Sequence, residues 1–442
     1  MNKIFRLSII IIFSVLCTSA ALAQDGLGKD SALFSAVICP GENCSHSMNI
    51  SWGAIENTQE CYISLREKES NKIVRNVTLK GSEGEICTVF NSVWSKMEGG
   101  KNFYEKARFL KFGYTFNHLK PATEYYCILS TRYKDGNGVS LTSPLKVLSF
   151  KTAGNREWSC CIISDFHSYP PLPKRLTSAM AMVDTVRSVS VREGREFEWV
   201  LHLGDVCAWG GSYSFWKRMY EEKNFSSTMW AGLNGNHDNM TRQYILTNEF
   251  FRNATANPRN GYGGEEGVCY WFRYGDVLFV MLNSDNMRKS EDFERAYNWT
   301  RKVLRKSRAK FKVVCEHYEW FNGKNGKTVQ YARWKKLFDE CGVDLALAAN
   351  NHIYVRSRKL FAEKAVSDNE KGTVYIQTPS SDNERGEKLF GELSYNRDLI
   401  AKRWNEGPKT VGALLMNVTP NSVTLTLLNR RGEREDTVTI TK

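Results

Sequence analysis

Five short apolar runs in this chain each end, within a few residues, in His, Asp or Asn. Trp158 to Ser164 (WSCCIIS) leads into Asp165-Phe166-His167, and Phe197 to Leu203 (FEWVLHL) leads into Gly204-Asp205. Met229-Trp230 is followed by Asn234-Gly235-Asn236-His237-Asp238. Phe311 to Cys315 precedes Glu316-His317, and Val343 to Ala348 precedes Asn350-Asn351-His352. Runs this apolar do not suit strands with one wetted face, so they belong to sheets covered on both sides. Between them lie stretches with helical spacing: Leu176, Met180, Val183 and Val186, then about Phe293 to Arg308, then about Ala332 to Cys341. The alternation predicts an α/β fold over residues 156–442, two packed β-sheets flanked by helices, with a last pair of strands around the turn Pro420-Asn421. Such sheets place ligand sites beyond the ends of their strands, where these polar residues stand.

Residues 33–152 have a different texture. Met48, Ile50 and Trp52 alternate with polar neighbours, as do Cys61, Ile63 and Leu65, and again Tyr125, Cys127 and Leu129. Period-two alternation punctuated by turns such as Lys134-Asp135-Gly136-Asn137-Gly138 predicts an all-β sandwich domain. Leu119-Pro121-Thr123-Tyr125 and the closing Phe150-Lys151-Thr152 resemble a fibronectin type III module. Ala153-Gly154-Asn155 reads as the linker to the α/β part.

The N-terminus reads as a signal peptide over residues 1–23. Lys3 and Arg6 form a basic start, Leu7 to Leu16 an apolar run, and Ala21-Leu22-Ala23 a small-x-small cleavage pattern before Gln24. The expected location is therefore secreted or periplasmic, with no later segment able to cross a membrane. Removing the leader takes Cys17 with it and leaves eleven of the 12 cysteines. An oxidising compartment permits disulfides. Cys39 and Cys44 are close in sequence, whereas Cys160, Cys161, Cys315 and Cys269 sit in apolar runs and read as buried thiols.

With 42% hydrophobic residues and 10 prolines in 442, the chain is neither disordered nor fibrous. The formal charge of +13 is spread over short pairs such as Arg301-Lys302 and Lys335-Lys336. They form no long basic run, so no nucleic-acid partner is expected. The charge fits anionic substrates.

Imidazole, carboxylate and amide oxygen together suit borderline-to-hard ions such as Fe, Mn and Zn. There are more donors here than one tetrahedral ion can use, which points to two divalent or trivalent ions clamping a displacement at phosphorus. The ordered set Asp165-x-His167, Gly204-Asp205, Gly235-Asn236-His237-Asp238, His317 and His352-Ile353-Tyr354 resembles the calcineurin-like metallophosphoesterases. With a preceding sandwich, the layout is similar to that of the purple acid phosphatases. The resemblance implies Asp165, His167 and His352 on one ion, with Asp205 bridging to a second held by Asn236 and His317. It implies that His237 faces the substrate phosphate as the catalytic histidine, that Asp238 orients its imidazole, and that a hydroxide made by the metals attacks a phosphorylated substrate.

Three positions depart from that pattern. Ala208 stands where purple acid phosphatases have a tyrosine ligand. Asn350 replaces a ligand histidine in Ala349-Asn350-Asn351-His352, which predicts a weaker second site leaning toward Mn. The loop Tyr318 to Lys327 has no substrate-facing histidine, and Tyr318, Trp320 and Lys324 are candidates to shape the pocket instead. His202 reads as a hydrogen-bonded core histidine, and His46 and His118 belong to the sandwich. The competing reading is a catalytically weak protein that holds a phosphorylated or glycan ligand at a degraded metal site.

Overall fold

The computed structural model describes residues 31–95, 101–154, 156–240, 248–322, 329–382, 393, 396–407 and 410–442. The leader expected over residues 1–23 and the linker residue Asn155 lie outside them.

Three parallel strands carry half of the site: β10 (Trp158–Ile163), β11 (Trp199–His202) and β12 (Met229–Gly232), aligned Ile163 to His202 to Gly232. All their residues are buried, as unbroken apolar runs require. Beyond β10 the sheet continues antiparallel through β21 (Gly412–Thr419), β22 (Ser422–Asn429) and β23 (Arg434–Thr441). The other half of the site hangs from a second sheet. Its order is β13 (Tyr270–Tyr274), β14 (Val277–Met281), β15 (Phe311–Cys315), β16 (Leu345–Ala348), β19 (Thr373–Gln377), β17 (Tyr354–Phe361) and β18 (Lys364–Ala365). Strand β20 (Ile400–Trp404) pairs with β17.

Because side chains alternate along a strand, each sheet has two apolar faces to cover. Cys160, Ile162, Trp199 and Leu201 face inward and share one core with Phe279, Val313 and Leu345 of the second sheet. Their neighbours Cys161, Ile163 and Val200 face outward into a second core with α1 (Lys174–Arg192), which buries Leu176, Met180, Val183 and Val186. Leu278, Val280, Val314 and Ala346 meet α5 (Ser290–Lys306) and α6 (Val329–Cys341) in a third. The result is the helix, sheet, sheet, helix layering expected from the sequence. Three short helices, α2 (Tyr213–Tyr220), α3 (Lys223–Ser227) and α4 (Glu249–Ala254), sit in the connections. Aromatic rings fill the inner core: Trp158 lies 4.9 Å from Tyr274 and Trp199 lies 5.2 Å from Phe279, centroid to centroid. Truncating one of these rings would cost about 3–5 kcal/mol.

The N-terminal region is β-rich as read. Strands β3 (Thr58–Glu67), β4 (Ile73–Lys80), β7 (Glu124–Lys134), β8 (Ser140–Thr142) and β9 (Lys146–Lys151) form one antiparallel sheet. Its alternating Cys61, Ile63, Leu65, Tyr125, Cys127 and Leu129 are buried. The facing strands β1 (Leu33–Pro40), β2 (Met48–Ala54), β6 (Lys101–Phe116) and β5 (Glu85–Ser95) join the first catalytic sheet, because β1 pairs in parallel with β12 through Ile38 and Met229. One hydrogen-bonded sheet of ten strands thus runs through both regions. β2 is buried on both faces and not on one, because the segment that follows α4 lies over its outer side. The Asn49 amide donates to the Ala256 carbonyl at 2.7 Å, under the segment that follows α4.

All eleven described cysteines are buried free thiols. Cys39 and Cys44 lie in different cores, one accepting the Ala256 N–H and the other donating to the Gly41 carbonyl, so their sulfurs do not meet. His202 is a core residue, but the expected hydrogen bond is absent at its Nδ1. The ring lies against Gly232 and Phe251, and burial pushes its pKa down to about 3. Among the described residues no helix is long and apolar enough to cross a membrane.

Candidate metal centre

Every group singled out from the five apolar runs stands just past the end of a parallel strand. Asp165 and His167 follow β10, Asp205 follows β11, Asn236 to Asp238 follow β12, His317 follows β15, and Asn350 and His352 follow β16. Getting both sets of side chains into one small volume demands unusual backbone. Five of the twelve non-glycine residues with positive φ among the described residues are Asp165, His167, Asp205, Asn350 and His352. Such conformations each cost about 1–3 kcal/mol and persist where the surroundings over-determine them. Gly204, at φ +93°, permits the closest approach: a Cβ there would lie 2.6 Å from the Gly235 nitrogen and 2.7 Å from His317 Nδ1.

The ligating atoms converge. Three sets, Asp165–His167–His352, His167–Asp205–His237 and Asp165–Asp205–His317, each bring one atom per residue within 4.8 Å of one another. The second Asp205 oxygen, Oδ2, is 3.2 Å from His167 Nε2 and 3.3 Å from His317 Nε2, whereas Asp165 Oδ1 is 3.6 Å from His352 Nε2. Three imidazoles are anchored from behind. His167 Nδ1 bonds the Asp165 carbonyl at 2.9 Å, His237 Nδ1 the Ala208 carbonyl at 2.8 Å, and His317 Nδ1 the Leu203 carbonyl at 2.7 Å. A carbonyl can only accept, so Nδ1 carries the proton and Nε2 presents its lone pair to the centre, the usual arrangement behind a metal-binding histidine.

The residues present fit a pair of cations. Asp165 Oδ1, Asn236 Oδ1 and His317 Nε2 are buried without a hydrogen-bond partner. Leaving such atoms unsatisfied costs about 1–3 kcal/mol each, which a bound cation relieves. The electrostatics agree. Burial pushes the Asp165 carboxyl up, against the pull of His352 and His317. Burial also works against Asp205 ionisation, but the His317 and His237 charges outweigh it and hold that carboxyl well below the usual range. Burial would lower His317, yet Asp205 and Asp165 raise it to about 10. A metal ion would take the place of the positive charge that these histidines lend the two carboxylates.

One expected role changes. Asp238 does not orient His237. Its oxygens accept the backbone N–H groups of Cys207 at 2.8 Å and Gly235 at 2.9 Å, tying the loop after β11 to the loop after β12. In this turn the two neighbouring side chains point apart, and the Ala208 carbonyl holds the imidazole instead. Burial raises the Asp238 carboxyl to about 8. Asn350 donates through Nδ2 to Glu319 Oε2 at 2.7 Å and through its backbone N–H to Asp165 Oδ2 at 3.2 Å. Only its amide oxygen is left to meet an ion. Of the pocket candidates, Tyr318 stands beside His317 with ring centroids 5.7 Å apart. Trp320 is buried beneath, packed on Phe338 and Tyr375, and Lys324 lies outside the described residues.

Some supporting groups were not legible from sequence. Ser164 Oγ donates to Asp165 Oδ2 at 2.6 Å, and Ser380 Oγ to the Asp165 carbonyl at 2.9 Å. Asp285, after β14, holds Asn239 and Tyr318. Its position after the apolar run VLFVML was the available signal.

The fold and site define a metallophosphoesterase: two sheets whose strand ends surround a buried His/Asp cluster suited to a dinuclear metal centre. Residues 160–354 match the family model for the calcineurin-like phosphoesterases, so the chain carries a domain of that family, a hydrolase acting on phosphoester bonds. A purple acid phosphatase, PPD1 from seeds of yellow lupin (Lupinus luteus), is similar in fold, with a TM-score of 0.69 at 14% identity over 93% of this chain and 75% of that one. PhoD is similar over 94% of this chain and 90% of its own, with a TM-score of 0.56 at 13% identity. No curated protein sequence matches the chain.

Proposed function

We propose that this protein is an exported phosphoric ester hydrolase that works with a dinuclear centre of Fe, Mn or Zn. The observation that carries it is the convergence of Asp165, Asp205, His167, His317 and His352 on one buried volume, with the Asn236 oxygen unpartnered beside them. Asp165, His167 and His352 would hold one ion, and Asp205, Asn236 and His317 the other, with Asp205 between. Bound ions supply Lewis acidity at the phosphoryl oxygens and acidify water. The chain supplies the rest. His237, half-buried and fixed through Nδ1, presents Nε2 toward the substrate phosphate, where a proton on that atom would stabilise oxygen charge in the transition state. An amide oxygen at Asn350 is a harder donor than imidazole, which supports a preference for Mn at the second position.

The test is metal analysis of purified protein, followed by 4-nitrophenyl phosphate hydrolysis by a dialysed sample titrated with Mn, Zn and Fe. Metal binding without turnover under any ion would favour the ligand-holding alternative. Export rests on the leader pattern Lys3, Arg6, Leu7 to Leu16 and Ala21-Leu22-Ala23. The division into a fibronectin type III-like module over 33–152 and a catalytic part over 156–442 is likewise our reading. N-terminal sequencing of the mature protein should begin near Gln24, and a retained Met1 would count against export.

A further inference from the structure

Arg288 stands at the rim of the centre with its charge largely in solvent and its position fixed. The side chain is 61% exposed, yet Nη2 donates to Asp285 Oδ1 at 3.0 Å and to the Tyr318 hydroxyl at 3.2 Å. Tyr318 donates in turn to Asp285 Oδ1 at 2.6 Å, and the Asn239 amide to Asp285 Oδ2 at 3.1 Å. Asp285 is itself buried. The cluster therefore ties three loops together: the one after β14, the one that follows His317, and the one that follows His237 and Asp238. Arginine has five donors in a planar fork, and this cluster engages one nitrogen, Nη2. Among the described residues, Nε and Nη1 make no further hydrogen bond.

A guanidinium oriented in this way loses little freedom on binding, and its open edge matches a carboxylate or phosphate bidentately. Its contact is with Tyr318, the residue after His317, whose ring centroid lies 5.7 Å from that of His317. Resting on the hydrolase reading above, we infer that Arg288 is a specificity-determining residue that binds a second anionic group on the substrate. The substrate class is then a phosphoric ester that carries another phosphate or carboxylate several bonds from the scissile one.

The test needs no turnover. Manganese-loaded protein is titrated calorimetrically with ω-phosphonocarboxylates of three to six carbons and with alkylphosphonates of the same lengths, none of which can be hydrolysed. Wild type should bind the best-fitting phosphonocarboxylate about tenfold or more tightly than its alkyl counterpart, the range for a charge-assisted hydrogen bond. Arg288→Gln should abolish that preference while leaving alkylphosphonate binding unchanged, and Arg288→Lys should restore part of it. No preference at any length, or a preference that survives Arg288→Gln, overturns the inference. Hydrolysis of 4-nitrophenyl phosphate, which has no second anion, reports separately on the hydrolase reading, so the two can fail independently.

Discussion

The backbone N–H of His237 donates to Oδ1 of Asp205 at 2.9 Å, so the residue placed to face the phosphate also fixes the carboxylate placed between the ions. With Oδ1 held in this way, Oδ2 is turned toward His167 and His317. The loops after β11 and β12 thus share one geometry, and changes at either residue separate their roles.

Asp205→Asn should remove a charge that both ions would share. Metal content should fall at both positions and turnover nearly vanish, with the cores left folded, because a neutral amide cannot compensate two cations. Elemental analysis with circular dichroism checks this. Full metal content at wild-type rate would show that Asp205 is no bridge.

His237→Ala should keep its metal and lose about 10²–10⁴ in rate, the range for a positioned acid or charge stabiliser. The backbone N–H that holds Asp205 is unaffected by the substitution. Loss of metal together with rate would make the imidazole a ligand.

Asp238→Asn should act on stability more than on chemistry. An amide has one acceptor oxygen, so either the Cys207 or the Gly235 N–H loses its partner, at a cost of about 1–3 kcal/mol. Urea denaturation should show that loss, while the metal-saturated variant stays within about tenfold of wild-type rate. A collapse in rate with unchanged stability would restore the orienting role that the sequence pattern implied for Asp238.

His202, which is not among the ligand residues, gives a pH dependence of its own. Its folded pKa, about 3, lies below the ordinary value of 6.5, so the unfolded chain takes up the proton first as pH falls. Stability is therefore intact above about pH 6.5 and declines toward pH 3 by about 1.4 kcal/mol per unit from this group. Asn at 202 leaves nothing there to titrate, and His202→Asn should show a shallower acid decline in urea midpoints than wild type.

The unbroken apolar runs dictated most of the architecture. Strands such as Trp158–Ile163 can be satisfied only between two apolar layers, and the spacing of Leu176, Met180, Val183 and Val186 supplies one of those layers. The polar residues at the strand ends were legible for the same reason: chemistry that cannot be buried in a sheet collects where the sheet stops. What the sequence could not fix were relationships set by tertiary contact. Alternation alone does not say that β1 will pair with β12, since hydrogen bonds between strands far apart in sequence leave no periodic trace. Nor does adjacency in Asn236-His237-Asp238 say which way each side chain turns. The folded backbone turned Asp238 onto the N–H groups of Cys207 and Gly235 and gave His237 to the Ala208 carbonyl. Residues next to each other in a turn diverge, and only the packing of the neighbouring loops decides what each one meets.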